Sequence, residues 1–265
     1  MKQEFVGAAG NRSDSDNGRY VASVQEAVRD YNAFNNFKRD PRYQEILEHV
    51  SYEHGKMYLN IIESESPDLL LDIDSYKDND LIGGATTYEY PNVGQISANT
   101  LRYIKVASDI RNLFGSDIGD KIAEIGVGYG GQMLISDKIL KFKQYDLFDL
   151  PPVLDLTRKY LESHILKSSY NTLTLNQHRG DTDYDLVISN YAFSELPAKL
   201  QLVYIQKIIS RSSRGYMTMN SGLPNCPYSQ GKLSLDQLQN LLPSFRTVSD
   251  NHRPDQNYII VWGQK

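Results

Sequence analysis

A chain of 265 residues, 23% charged and 40% hydrophobic, has the composition of a soluble globular protein and the length for one large domain or a core domain with an added lobe. A net charge of −5, with no Lys/Arg cluster beyond short pairs, argues against a nucleic-acid partner, which selects for a basic face. The single cysteine, Cys226, excludes an internal disulfide and suits a cytoplasmic setting; no apolar run approaches the about 20 residues of a membrane span, and the N-terminal residues hold no apolar signal core.

Residues 1–18 are polar and rich in Gly, Ser and Asp, which predicts a mobile tail. From Arg19 the pattern turns helical: Val21, Val24, Val28, Tyr31 and Phe34 recur every three or four residues. Phe37, Tyr43, Ile46, Leu47 and Val50 continue the stripe around Pro41, and a further helical segment ends near Pro67. Residues 74–95 change texture, with turn residues, adjacent glycines and tyrosines, and read as a long functional loop. A helix follows, with Ser97 or Asn99 as cap, an apolar face from Leu101 to Phe114, and a stop at Gly115.

From Gly119 strand and helix alternate, the sign of a parallel sheet covered on both faces. Strands are predicted over 121–126, 143–150, 171–176, 184–190 and 214–220, with helices over 130–140, 151–165, 195–210 and 234–242 between and after them. Segments 244–250 and 257–263 read as a closing strand pair. Such a series describes an α/β fold with the Rossmann-like sheet of the class I methyltransferases, mostly parallel with a closing antiparallel C-terminal strand; a dinucleotide fold asks for six parallel strands in two halves. The predicted organisation is a tail (1–18), a helical N-terminal lobe with an acceptor loop (19–115), and a cofactor-binding catalytic domain (116–265).

The turn after the first of these strands reads Gly126-Val127-Gly128-Tyr129-Gly130-Gly131. Glycine lets a ligand lie against bare backbone at such a bend. Gly126, Gly128 and Gly130 fit the methyltransferase spacing, while Gly126, Gly128 and Gly131 equally fit the dinucleotide spacing. Glu124, two residues before the first glycine, favours S-adenosylmethionine, whose ammonium and sulfonium groups are attracted to a carboxylate that would repel a pyrophosphate. Tyr145, Leu147 and Asp149 share one face of the next strand. Asp149, at its end, suits both ribose hydroxyls; a cap for the helix at Pro151 is the plainer role, and Asp146 points the other way. Asp181 could accept from an adenine amino group or simply sit in a solvated turn. His178 is a surface histidine or a base.

"SNYAFSELP" (189–197) completes a set of motifs, with "IAEIGVGYGGQ", "YDLFDLPPVLDLTRKYL" and "NDLIGGATTYEYPNVGQISANTLRYIK", that resembles the sugar O-methyltransferases of bacterial surface-polysaccharide clusters, over roughly residues 75–225. The resemblance implies methyl transfer from S-adenosylmethionine, leaving S-adenosylhomocysteine, to a sugar hydroxyl of a glycan. Asn190 and Tyr191 then stand at the strand edge beside the transferable methyl group, with Asn190 on the cofactor side. Glu195 is the first choice of general base, ahead of Tyr191 and His178; its alternative role is to favour a helix N-terminus through its charge. Tyr88 and Tyr90 are candidates to stack on an acceptor sugar, and Arg102 to hydrogen-bond it or to pair with a carboxylate, whereas Tyr31 and Tyr43 are read as core. Asp181 and Asp183 form no compact metal-ligand cluster, so no metal site is expected.

The competing readings are a small-metabolite O-methyltransferase, an NAD-dependent oxidoreductase, and a non-catalytic partner subunit of the same fold. A glycosyltransferase is the candidate partner for a chain that methylates a glycan.

Overall fold

The computed structural model of the chain describes residues 18–224, 226, 229–250 and 256–263. The tail expected over 1–18 therefore lies, but for Gly18, outside the described residues.

The helical part begins with α1 (Gly18–Arg29), which buries Tyr20, Ser23, Val24 and Ala27. The stripe expected to run on to Phe34 breaks at Asp30, whose carboxylate accepts the Ala33 N–H at 2.7 Å and so caps a new short helix, α2 (Tyr31–Phe34). The break turns Tyr31 out to solvent, 76% exposed, against the expectation of core, while Tyr43 is buried as expected. Asp40 caps α3 (Pro41–Gln44), with proline in its first turn, and Ser51 caps α4 (Tyr52–Glu65).

Residues 74–95 are not one irregular loop. They fold as α5 (Ile73–Tyr76), a 3-10 turn, and a hairpin of β1 (Thr87–Tyr90) with β2 (Gly94–Ser97). The tyrosines expected to stack on an acceptor sugar supply the hairpin's alternation, with Tyr88 opposite Ile96. Ser97, not Asn99, then caps α6 (Ala98–Phe114) by accepting the Thr100 N–H at 3.1 Å, and Gly115 ends it.

The rest alternates as the sequence predicts: β3 (Lys121–Ile125), α7 (Gly131–Ile139), β4 (Gln144–Phe148), α8 (Pro151–Leu161), β5 (Ser169–Leu173), β6 (Leu186–Asn190), α9 (Ala192–Glu195), α10 (Ala198–Lys207), β7 (Gly215–Met219), α11 (Leu235–Leu241), β8 (Phe245–Ser249) and β9 (Tyr258–Trp262). The single helix expected over 195–210 is two, parted at Leu196-Pro197. Seven strands form one sheet in the order β5-β4-β3-β6-β7-β9-β8; β9 runs antiparallel to both its neighbours and the other pairings are parallel.

Strand alternation divides the core between the two faces. Ile122, Tyr145, Leu147, Ile188 and Val261 join the apolar residues of α1, α4, α6, α7 and α8. Ala123, Ile125, Phe148, Met217 and Trp262 face α10 and α11. The helical N-terminal part is thus continuous with the core on one face of the sheet. Glu124 and Asp149 have the parity of that same face.

Candidate cofactor and acceptor site

The chain leaves β3 toward β4 and β5 on one side, then returns to place β6 and β7 on the other. The order reverses between β3 and β6, and ligands of open α/β sheets bind in the crevice at such a switch point, beyond the carboxyl ends of the strands. One wall of the crevice is the glycine turn after β3 and the other is the end of β6, Asn190-Tyr191. The register Glu124↔Ile188 puts Gly126 level with Asn190.

Gly126, Gly128 and Gly130 all adopt positive φ, +77°, +55° and +94°, which L side chains rarely accept. Space excludes a side chain as well. A Cβ at Gly126 would meet the Ala192 Cβ, and one at Gly128 would lie 2.8 Å from Leu47 Cδ1, so the helical lobe sits directly on the turn.

Asp149 holds the turn from below. Its Oδ2 accepts the Val127 N–H at 2.8 Å and the Gly128 N–H at 3.3 Å, and its Oδ1 accepts the Leu150 N–H at 2.7 Å. Burial pushes this carboxyl up to about 6, against the pull of those three N–H groups. A carboxylate has about four acceptor positions. Oδ1 keeps one for a ribose hydroxyl, and a second hydroxyl can take the place of the long Gly128 contact. The turn and Asp149 therefore fit a nucleoside.

Glu124 has a different partner from the one the sequence suggested. It is 2% exposed, and its Oε2 accepts the Tyr145 hydroxyl at 3.0 Å. Burial pushes its carboxyl up to about 8, so at neutral pH it offers a ligand little charge.

At the end of β6, Tyr191 takes φ +69°, an outlier for a bulky residue, and its hydroxyl donates to Asp250 Oδ2 at 2.9 Å. Glu195 Oε1 accepts from Asn220 Nδ2 at 2.9 Å, which anchors it between the ends of β6 and β7. Ser194 Oγ donates to Asn220 Oδ1 and fixes the other side of the same amide.

The remaining predicted residues are dispersed. Tyr90 is wholly buried, stacked on Tyr52 at 4.9 Å with its hydroxyl on the Tyr52 carbonyl, so it has no face for an acceptor. Tyr88 is half-buried and edge-on to Tyr52. His178 is not a surface residue: its ring packs against Phe148 and Tyr184 on the α10 side of the sheet, and burial lowers its pKa and keeps it neutral. Asp181 is exposed, in a loop whose backbone Arg211 holds. Arg102 is half-buried, 5.3 Å from the Tyr103 ring centroid, with Tyr58, Tyr191 and Glu48 around it.

Sequence reasoning missed Glu48 and Asn99. Glu48 has φ +61°, and its Oε2 accepts from Asn99 Nδ2 at 3.0 Å. Four buried polar atoms near the crevice have no hydrogen-bond partner: Glu48 Oε1, Asn99 Oδ1, Arg102 Nε and Asn190 Oδ1. Each costs about 1–3 kcal/mol while unpaired. Asn190 also donates to Gln132 Oε1 at 3.2 Å. Two surface depressions, of about 450 and 580 Å³, lie on the helical part instead; the first is only the outer flank of α4.

No protein-family model and no curated protein matches this chain. Among solved structures, the pyocyanin biosynthetic protein PhzM is similar at 14% identity and a TM-score of 0.47, over 63% of this chain and 56% of its own. The mitomycin 7-O-methyltransferase MmcR is similar at 14% and 0.46, over 62% and 55%. The N-methyltransferase NodS from Bradyrhizobium japonicum WM9, solved with S-adenosyl-L-homocysteine, is similar at 11% and 0.46, over 60% and 84%. The chain thus matches little more than half the length of the first two. Likenesses this distant say nothing of chemistry. The strand order itself, with antiparallel β9 between β7 and β8, is that of the class I methyltransferases.

Proposed function

We propose that this chain is an S-adenosylmethionine-dependent O-methyltransferase whose acceptor is a sugar hydroxyl. The observation that carries the reading is the glycine turn at the switch point, held by Asp149 with a lone pair to spare for ribose. The sugar rests on the sequence resemblance over residues 75–225, and a small-metabolite hydroxyl is the reading to separate from it.

When bound, S-adenosylmethionine supplies an electrophilic methyl group on a cationic sulfur. Asp149 binds the ribose hydroxyls, beside a turn whose positive φ values glycine accepts readily. At the β6 edge Glu195, held by Asn220, takes the proton of the attacking acceptor hydroxyl onto a carboxylate oxygen. A base so placed is worth about 10²–10⁴-fold in rate. Tyr191, tied to Asp250, shapes the acceptor side, and the packed helical lobe keeps bulk water from the turn.

Incubating the purified chain with S-adenosylmethionine and a panel of oligosaccharides, nucleotide sugars and small phenols tests this. Mass spectrometry should show a gain of one methylene unit on a sugar. Transfer only to phenols would remove the sugar assignment, and no transfer to any hydroxyl would remove the O-methyltransferase reading.

A further inference from the structure

The four unpaired atoms at the crevice belong to one network. Glu48 and Asn99 are hydrogen-bonded to each other; burial raises the Glu48 carboxyl above its ordinary value, and the nearby charges of Lys38 and then Arg102 oppose that rise. Arg102 and Tyr103 are neighbours on α6, and the Tyr103 carbonyl accepts from Gln132 Nε2 at 3.2 Å. Gln132 Oε1 in turn accepts from Asn190. Leu47, next to Glu48, lies over Gly128, and a Cβ at Gly131 would lie 2.6 Å from the Tyr103 ring. The network therefore wraps the glycine turn on the side of the helical lobe.

Its hydrogen-bond sense is fixed from outside. The Tyr103 carbonyl can only accept, so Gln132 must face it with Nε2 and face Asn190 with Oε1. Asn190 must then donate through Nδ2, which leaves Oδ1 as the unpaired acceptor. The Glu48 carboxylate likewise takes the Asn99 amide nitrogen and leaves Asn99 Oδ1 unpaired. The result is three unpaired acceptors, Glu48 Oε1, Asn99 Oδ1 and Asn190 Oδ1, and one unpaired donor, Arg102 Nε. An ammonium group brings three donors and a carboxylate only acceptors.

We infer that Glu48, Asn99, Asn190 and Arg102 form the receptor for the α-amino-acid end of S-adenosylmethionine, the three oxygens taking the ammonium and the guanidinium the carboxylate. The inference deepens the cofactor reading above and rests on it. It assigns Arg102 to the cofactor rather than the acceptor, and the ammonium to Glu48 rather than Glu124. It also gives a reason for the positive φ at Glu48: the strained corner after Leu47 aims the carboxylate inward, and strain of this kind gathers at binding sites. Of the non-glycine residues with positive φ, Glu48 belongs to this network and Tyr191 follows Asn190 directly.

Two ligands that share the adenosine and thioether but differ at this end decide the matter. S-adenosylhomocysteine carries the amino-acid group, and 5′-deoxy-5′-methylthioadenosine lacks it. Calorimetric titration of the full chain should show S-adenosylhomocysteine binding far more tightly. Glu48→Gln and Arg102→Gln should each weaken S-adenosylhomocysteine by about 10- to 100-fold, the worth of a hydrogen bond to a charged group, and leave methylthioadenosine affinity unchanged. Unchanged methylthioadenosine binding also shows that a variant is folded, and either variant suffices if the other does not fold. Equal affinity of the wild-type chain for both ligands, or variants that keep the wild-type ratio, would overturn the receptor while leaving the cofactor assignment intact. A wild-type chain that binds neither ligand overturns both.

Discussion

Asp149 and Val127 stand 22 positions apart in the chain, and the carboxylate of one accepts the backbone N–H of the other at 2.8 Å. The bond joins the end of β4 to the turn after β3. It makes Asp149 the brace of the turn and, under the proposed function, also the group that would meet the ribose. Asp149→Ala should lower S-adenosylhomocysteine affinity at least about tenfold, since it removes charge-assisted hydrogen bonds on both sides. Calorimetry on the folded variant checks this, and unchanged affinity would remove Asp149 from the site.

Gly126 is barred to side chains by both backbone and space. Gly126→Ala should destabilise the fold by about 1–3 kcal/mol through its φ of +77°, with a further loss from contact with Ala192. Adding Ala192→Gly should restore only the contact part, so urea denaturation should find the double variant between wild type and Gly126→Ala. A fully stable Gly126→Ala would mean that the turn is not held as described.

Glu124 makes stability depend on pH. Burial raises its carboxyl to about 8, the Tyr145 hydrogen bond opposes the rise, and the Asp149 charge adds to it. The folded chain therefore keeps a proton that the unfolded chain, with the ordinary value of 4.5, has already lost. Stability from this proton is complete below the unfolded value and is lost as pH climbs through about 8, with a slope of up to about 1.4 kcal/mol per pH unit. Glu124→Gln should flatten the slope of unfolding free energy across that window; an unchanged slope would show that the carboxyl is not held protonated.

Much of this was legible in the sequence, because period and punctuation are local. The Gly126–Gly131 wording, the alternation of Tyr145, Leu147 and Asp149, and the Pro151 helix start needed no partner elsewhere in the chain to be read. What stayed hidden depends on contacts across it. Tyr90 reads as an acceptor-stacking residue in the sequence, and only the fold lays Tyr52 of α4 over its ring. Tyr31 lay on a helical stripe until the Asp30 cap ended that helix. Glu48 sits beside Ile46 and Leu47 with no motif around it; its φ and its bond to Asn99, 51 positions on, exist only in the fold. Glu124 was legible as an acid two residues before the turn, but not its burial or its engagement with Tyr145.

Glu195 separates binding from chemistry. Glu195→Gln keeps the shape and the Asn220 contact but cannot take a proton. Turnover should fall by about 10²–10⁴-fold with S-adenosylhomocysteine affinity unchanged, as read by single-turnover methylation beside calorimetry. Near-normal turnover would pass the role of base to another group at the β6 edge.

The central claim is that the turn at residues 126–130, braced by Asp149, holds S-adenosylmethionine and not a dinucleotide. Parallel calorimetric titrations of the intact chain with S-adenosylhomocysteine and with NAD test it most directly. The account predicts saturable binding of S-adenosylhomocysteine and no heat of binding from NAD. Binding of NAD without S-adenosylhomocysteine would contradict it.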